Sequence, residues 1–242
     1  VRIFVTGSAG GLGRAAADTL LAAGHQVVVH LRIDGRMDAV RDLIDRGADS
    51  VVGDLADFKK LRRVAEQVNE LGTMDAVIHN AGVYRGAQIL PVNVVAPYAL
   101  TALIDRPARL IYLSSGMHHG GRPRVAGLDW SGRRPSGSYS DSKLFVTTLM
   151  AAVATRWPST ISNAVDPGWV PTKMGGAGAP DDLRLGHVTQ EWLATSDDGD
   201  ANTSGGYWYH QQRREPHPAV HDPRFQEELL HELLRFTGVG LD

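Results

Sequence analysis

The chain has 242 residues and a formal net charge of −2, with acidic and basic residues mixed along its length. That length suits one large α/β domain or two small ones, with ample core, and the absence of a long basic block argues against nucleic acid or anionic membrane as partners. There is no cysteine, which excludes disulfides, thiolate catalysis and cysteine–zinc sites; with no signal peptide or membrane-spanning run to be read, a cytoplasmic location is expected.

Residues 2–6 (RIFVT) read as a short buried strand, residues 7–13 as a glycine-rich turn, and residues 14–23 as a helix that stops at Gly24. A second strand follows at 26–31 (QVVVHL), then a helix near 37–46, a strand near 50–52, a helix near 58–71 and a strand near 76–79. A helix around 90–104, a strand at 109–114, a helix from Tyr139 and a strand at 160–165 continue the rhythm. The tail adds a strand-like 205–210 and an amphipathic helix near 224–236. This alternation predicts an α/β fold with a mostly parallel sheet and helices on both faces, in a single domain over residues 1–242.

Two stretches break the rhythm. Residues 116–137 form a long loop rich in Gly, Arg and Pro, and residues 169–180 form another, leading into a helix-like 181–194. Long loops in compact domains are commonly functional. The substrate loops are therefore expected at 116–137, 169–193 and 205–221. The glycines of MGGAGAP (Gly175, Gly176, Gly178) suggest a lid that swings over bound cofactor.

The turn TGSAGGLG (Thr6–Gly13) lies between the first strand and the first helix. Glycines there let backbone N–H groups approach a phosphate closely at a helix N-terminus. Gly7, Gly11 and Gly13 are spaced G-x-x-x-G-x-G, a variant of the usual dinucleotide pattern. In such folds an acid at the end of the second strand holds the ribose hydroxyl of NAD, whereas a nearby Arg accommodates the extra phosphate of NADP. Leu31 stands at the acid position and Arg32 follows it. The cofactor is accordingly expected to be NADP(H) rather than NAD(H), although Asp34 and Asp38 lie close enough to offset the charge.

With these pieces in order, the chain resembles the short-chain dehydrogenase/reductase family in its single-domain form, along nearly its whole length. The cofactor turn matches through Gly7, Ser8, Gly11, Leu12 and Gly13; Asp54-Leu55 matches the acidic position that contacts adenine; Asn80-Ala81-Gly82 matches the stretch ending the fourth strand. Asn93, Ser115 (second of the pair Ser114-Ser115), Tyr139 and Lys143 match the catalytic tetrad. Asp166-Pro167-Gly168 with Val170 and Thr172 matches the segment that touches nicotinamide. The lengthened segment between serine and tyrosine, with Trp130, resembles the retinol-dehydrogenase-like branch. The resemblance implies a doubly wound, Rossmann-type sheet of about seven strands. It also implies an oxidoreductase that interconverts a carbonyl and an alcohol on a small molecule; many members pair through the helices holding Asn93 and Tyr139, which the altered loop here could block.

The chemistry fits the residue types. Tyr139 and Lys143 are one helical turn apart and share a face. A tyrosine is a poor base at neutral pH, and a nearby ammonium is expected to lower its pKa. Ser115 would hydrogen-bond the substrate oxygen where charge develops; the resemblance implies that Lys143 holds the nicotinamide ribose and that Asn93 holds a water linking Lys143 to solvent. No metal site is expected: His118 and His119 are adjacent and should splay apart, and Pro216 and Pro218 break any helix holding His217 and His221. The alternative reading is a catalytically silent dinucleotide-binding sensor or scaffold. A sugar-nucleotide epimerase would need a larger C-terminal domain than the stretch after Gly168 leaves room for.

Overall fold

A computed structural model describes residues 1–241. Strands β1 (Arg2–Val5), β2 (Gln26–Leu31), β3 (Asp49–Val52), β4 (Ala76–His79), β5 (Arg109–Leu113), β6 (Ile161–Asp166), β7 (Tyr207–Tyr209) and β8 (Gln212–Arg214) form one sheet. Its order is β3-β2-β1-β4-β5-β6-β7-β8. All pairings are parallel except β7 with β8, a short antiparallel edge hairpin. That hairpin makes eight strands where about seven were expected; the exposed QRR of β8 carries no apolar pattern to announce it.

Strand side chains alternate between faces. Phe4 and Val28 join a core with the helices α3 (Phe58–Glu70), α4 (Ala96–Leu103), α5 (Tyr139–Arg156) and α7 (Pro223–Thr237). Ile3, Val5, Val27 and Val29 face the other way, onto α1 (Gly11–Ala22), α2 (Arg41–Asp45) and α6 (Leu183–Thr195). The sheet is thus doubly wound, and the chain leaves β1 toward β2 on one side while β4 lies on the other. The crevice at the C-terminal ends of β1 and β4 is the switch point where such sheets bind ligands.

Two expected helices are irregular. Residues 34–40 form a 3₁₀ turn before the short α2. The helix expected around 90–104 runs from 89 to 103 without a gap, but residues 91–95 form a π turn that leads into α4. Pro97 has no N–H to give the carbonyl of Asn93, four residues earlier, so the regular hydrogen-bond ladder is interrupted there. Helix α5 is buried on all sides from Asp141 to Val153, enclosed by α7 and by the 116–137 loop. The altered loop and α7 therefore cover the α5 face through which copies would pair. Among the described residues no helix is long and apolar enough to cross a membrane.

Candidate active site

The glycine turn is knitted to its neighbours by side chains. Thr6 Oγ1 accepts the Ala81 N–H at 2.9 Å, and Asn80 Nδ2 donates to the Thr6 carbonyl at 2.8 Å. A Cβ on Gly13 would lie 2.3 Å from Asn80 Nδ2 and 2.9 Å from the Gly7 carbonyl, so only glycine fits there. Gly7 sits at φ +68°, a left-handed conformation that favours glycine. The result is a glycine-rich turn that opens α1, the kind of helix N-terminus whose backbone N–H groups can receive a phosphate.

His30 adds a clamp that the sequence did not announce. Its Nδ1 accepts the Gly7 N–H at 3.0 Å, its Nε2 donates to the Gly53 carbonyl at 2.8 Å, and its backbone N–H donates to Ser8 Oγ at 2.7 Å. These bonds require the neutral ring with its proton on Nε2. Burial lowers the His30 pKa, with the Gly53 carbonyl and Asp54 opposing. Ser8 also donates to the Val5 carbonyl at 2.8 Å and is fully buried. Its hydroxyl is therefore spent on shaping the turn. Arg14, a potential helper for the phosphate, is tied to Asp42 at 2.7 Å.

Arg32 is exposed at the end of β2 and Leu31 beside it is fully buried. Among the described residues Arg32 has no ion-pair partner, and Asp38 is taken up by Arg41 at 2.8 Å. Asp54 accepts the Ala56 N–H at 3.0 Å, which fixes the turn after β3, and Leu55 is buried there.

On the other side of the crevice, α5 starts with a capping box: Ser138 and Asp141 exchange side-chain and backbone hydrogen bonds. Asp141 also accepts from Arg122, at 2.8 Å from the backbone N–H and 2.9 Å from the guanidinium. Burial would raise the Asp141 pKa, but these donors bring it down to about 2. The cap fixes Tyr139 at the first turn, its ring 4.8 Å from that of Tyr84. Lys143 Nζ lies 5.5 Å from the Tyr139 ring centroid and donates to the Leu113 carbonyl at 2.7 Å.

The lowering of the tyrosine pKa expected from Lys143 is not what the protein alone shows. Burial pushes the Tyr139 phenol up to about 12; a hydrogen bond with Ser115 opposes this and the charge of Asp166 adds to it. The ammonium is turned to the Leu113 carbonyl instead, and burial lowers its own pKa to about 8, against the pull of Asp166.

The two serines separate cleanly. Ser114 is buried with its Oγ 2.6 Å from Thr147 Oγ1, whereas Ser115 is half-buried beside Tyr139. Asn93 Oδ1 accepts the Val83 N–H at 2.8 Å, and its Nδ2 donates to the Val83 carbonyl at 2.9 Å and to Ser142 Oγ at 3.0 Å. The side-chain amide is thus spent on protein partners. His118 and His119 do not splay: in the 3₁₀ turn after Ser115 their ring centroids are 4.0 Å apart. His118 Nδ1 donates to the Ser115 carbonyl at 2.8 Å and its Nε2 accepts the His217 N–H at 3.0 Å.

The segment after β6 bridges both halves. Thr172 Cγ2 lies 3.7 Å from the Cβ position of Gly11, and Met174 Cε lies 3.8 Å from that of Gly82. The Gly82 position is also 3.7 Å from Lys143 Nζ and 3.6 Å from Asn93 Oδ1. Gly168 takes φ +80°, Val170 is buried, and Pro167 and Val170 pack against Gly186 of α6. Gly82 thus brings Lys143 and Asn93 together, and Thr172 and Met174 reach from the segment after β6 to Gly11 and Gly82, so the glycine turn, Asn80-Ala81-Gly82 and Lys143 lie around the C-terminal ends of β1 and β4. Asp166, expected only as the start of the Pro167-Gly168 segment, and Tyr84, not expected at all, join the site beside Tyr139.

Relatives carry the same frame. The short chain dehydrogenase family model matches residues 2–103. An uncharacterised oxidoreductase of Emericella nidulans is 36% identical over 100% of this chain and 98% of its own. A short-chain dehydrogenase of Gibberella zeae is 34% identical over 99% and 98%. A blue fluorescent protein from a metagenomic library, solved in complex with NADPH, superposes with a TM-score of 0.71 at 21% identity, covering 86% of this chain and 95% of that one. Full-length identity at this level, on a doubly wound sheet with the glycine turn at its switch point, makes the chain an enzyme of the short-chain dehydrogenase family.

Proposed function

We propose that the protein is an NADP(H)-dependent oxidoreductase that interconverts a carbonyl and an alcohol, with Tyr139 as the acid–base group. The observation that carries the reading is the clustering of Tyr139 with Ser115 and Lys143, the last of them beside Gly82 at the strand ends that hold the glycine turn. When bound, the dinucleotide supplies or accepts the hydride at its nicotinamide ring. The chain's own residues do the rest. Tyr139, kept protonated by burial, gives its proton to the substrate oxygen as reduction proceeds. Ser115 hydrogen-bonds that oxygen as negative charge develops on it. Lys143, with one N–H on the Leu113 carbonyl, has two left for a ribose and for the phenolate formed as Tyr139 loses its proton. Asn93 orders this assembly through Ser142, whose hydroxyl donates to the Tyr139 carbonyl at 2.7 Å.

Arg32, exposed and unpaired beside a buried leucine, supports NADP(H) over NAD(H): a phosphate needs a cation, and no carboxylate replaces Leu31 to repel it. A charge-assisted contact of this kind contributes roughly 1.5–3 kcal/mol. NADPH should therefore bind about tenfold to a hundredfold more tightly than NADH by fluorescence titration, and equal affinities would remove the assignment. Tyr139→Phe should keep NADPH binding and lose on the order of 10²–10⁴-fold in turnover. Tight NADPH binding by the unmodified protein with no turnover of any aldehyde, ketone or quinone would identify a sensor instead.

A further inference from the structure

Asp166 ends β6 with a carboxylate that the proposed chemistry does not use. Its Oδ1 accepts the Gly168 N–H at 3.0 Å and its Oδ2 accepts the Tyr207 hydroxyl at 3.0 Å. Across from it is Gly116, the residue after Ser115; a Cβ there would lie 3.0 Å from Asp166 Oδ2. The absence of a side chain at Gly116 thus leaves the carboxylate open toward the catalytic serine. Its charge is felt at both the Tyr139 hydroxyl and the Lys143 ammonium.

The same carboxylate lines a cavity of about 400 Å³ together with Gly116, His119, Tyr207, Tyr209, Arg214 and Glu215. Its lining sets aromatic rings beside two carboxylates and one guanidinium. Among the described residues no arginine or lysine forms an ion pair with Asp166, and Arg214, at the cavity edge, donates to Gln212 at 2.7 Å. A carboxylate accepts about four hydrogen bonds, and protein donors take up only two of those sites here. A half-buried carboxylate in such surroundings is stabilised by a further donor and penalises an anion or a purely apolar group placed against it.

We infer that Asp166 is the specificity-determining residue of the substrate pocket, and that the substrate is an aromatic carbonyl compound, or the matching alcohol, bearing a hydroxyl group that donates to this carboxylate. The inference rests on the oxidoreductase reading of the same site and deepens it by naming a substrate class. The hydroxyl takes the open side of Asp166, the ring lies between Tyr207, Tyr209 and His119, and the carbonyl carbon is brought toward Ser115 and Tyr139.

The test pairs the ortho, meta and para hydroxyacetophenones with their methyl ethers, which keep the ring and carbonyl and lack the donor. Calorimetric binding to the protein saturated with NADP⁺ is measured beside NADPH oxidation. At least one hydroxy isomer should bind about tenfold to a hundredfold more tightly than its ether, the span of a charge-assisted hydrogen bond. Asp166→Ala should bring that ratio close to one with NADP⁺ binding retained. Asp166→Asn, which keeps the shape, serves if the alanine variant does not fold, and should lower the ratio because the charge is gone. Tyr207→Phe keeps the carboxylate and should keep the preference. Equal binding of hydroxy and methoxy compounds, a preference that survives loss of Asp166, or no binding of any isomer overturns the inference. A binding preference without NADPH oxidation would sink the reductase reading and leave the recognition site standing; oxidation without a preference would do the reverse.

Discussion

The two long loops beside the site look alike in sequence and differ in structure. Residues 116–137 are packed down onto α5: Val125 is buried, Trp130 is 3% exposed with its ring 6.1 Å from Phe145, and Arg122 is tied to Asp141. Residues 168–182 are held mainly by hydrogen bonds within themselves. Trp169 is 60% exposed, its indole N–H donating to the Gly175 carbonyl at 2.8 Å and its backbone N–H to Asp181 at 2.6 Å. The difference separates two uses of a loop. A loop that buries aromatic area belongs to the core and positions Tyr139. A loop satisfied by local polar contacts, with Thr172 and Met174 reaching across the crevice, can open at small cost.

The sharpest way to break this contrast is to truncate the two tryptophans. Trp130→Ala should cost about 3–5 kcal/mol of unfolding free energy, as for a buried aromatic, and urea titration should show a lower midpoint. Trp169→Ala should stay within about 0.5 kcal/mol of the parent and raise the KM for cofactor instead. A comparable stability loss in both would mean that the second loop is also core. Next in size is the tether. Asp141→Ala removes the α5 cap and the Arg122 contacts, and should cost about 1–3 kcal/mol. Turnover should fall more than cofactor affinity does, because the residue released is Tyr139; affinity falling in step would show a general loosening.

Much of this site could be read in advance because its signals are local. The glycine turn, the Tyr139–Lys143 spacing and Asn80-Ala81-Gly82 each lie within a few residues; the first and last follow β1 and β4 directly, and the pair opens α5. What escaped reading depends on partners far along the chain. His30 meets Gly7 across 23 residues and Asp166 meets Tyr207 across 41; neither pairing leaves a periodic trace. Ser8 matched a cofactor position by its place in the turn, but its hydroxyl is taken by Val5 and His30. The 116–137 loop looked open because Gly, Arg and Pro dominate it, while the few residues that decide its fate, Val125 and Trp130, are scattered.

Acid should loosen the packed loop through His118. Its ring must be neutral, since Nε2 accepts the His217 N–H while Nδ1 donates to the Ser115 carbonyl. Burial lowers its pKa from 6.5 to about 4, with His119 and His217 adding and the Ser115 carbonyl opposing. The unfolded chain therefore binds the proton first as pH falls. This contribution is complete above pH 6.5 and is lost as pH drops toward 4, by roughly 1–3 kcal/mol. His30 and His79, also lowered by burial, push the same way. His118→Gln should flatten the slope of unfolding free energy between pH 6.5 and 4; an unchanged slope would assign the acid sensitivity to the other two.

The smallest effect is the most direct comparison of the loops. NADPH bound between the glycine turn and Lys143 would lie under Thr172 and Met174, which already sit 3.7 and 3.8 Å from the Cβ positions of Gly11 and Gly82. Those contacts would add to a segment that now has few buried apolar ones, so its opening free energy should rise. Amide exchange across residues 168–182 should slow when NADPH is added. Exchange at Val125 and Trp130, already limited by packing against α5, should change much less. Equal slowing in both loops would mean that the cofactor tightens the whole domain, and no slowing in residues 168–182 would remove the lid.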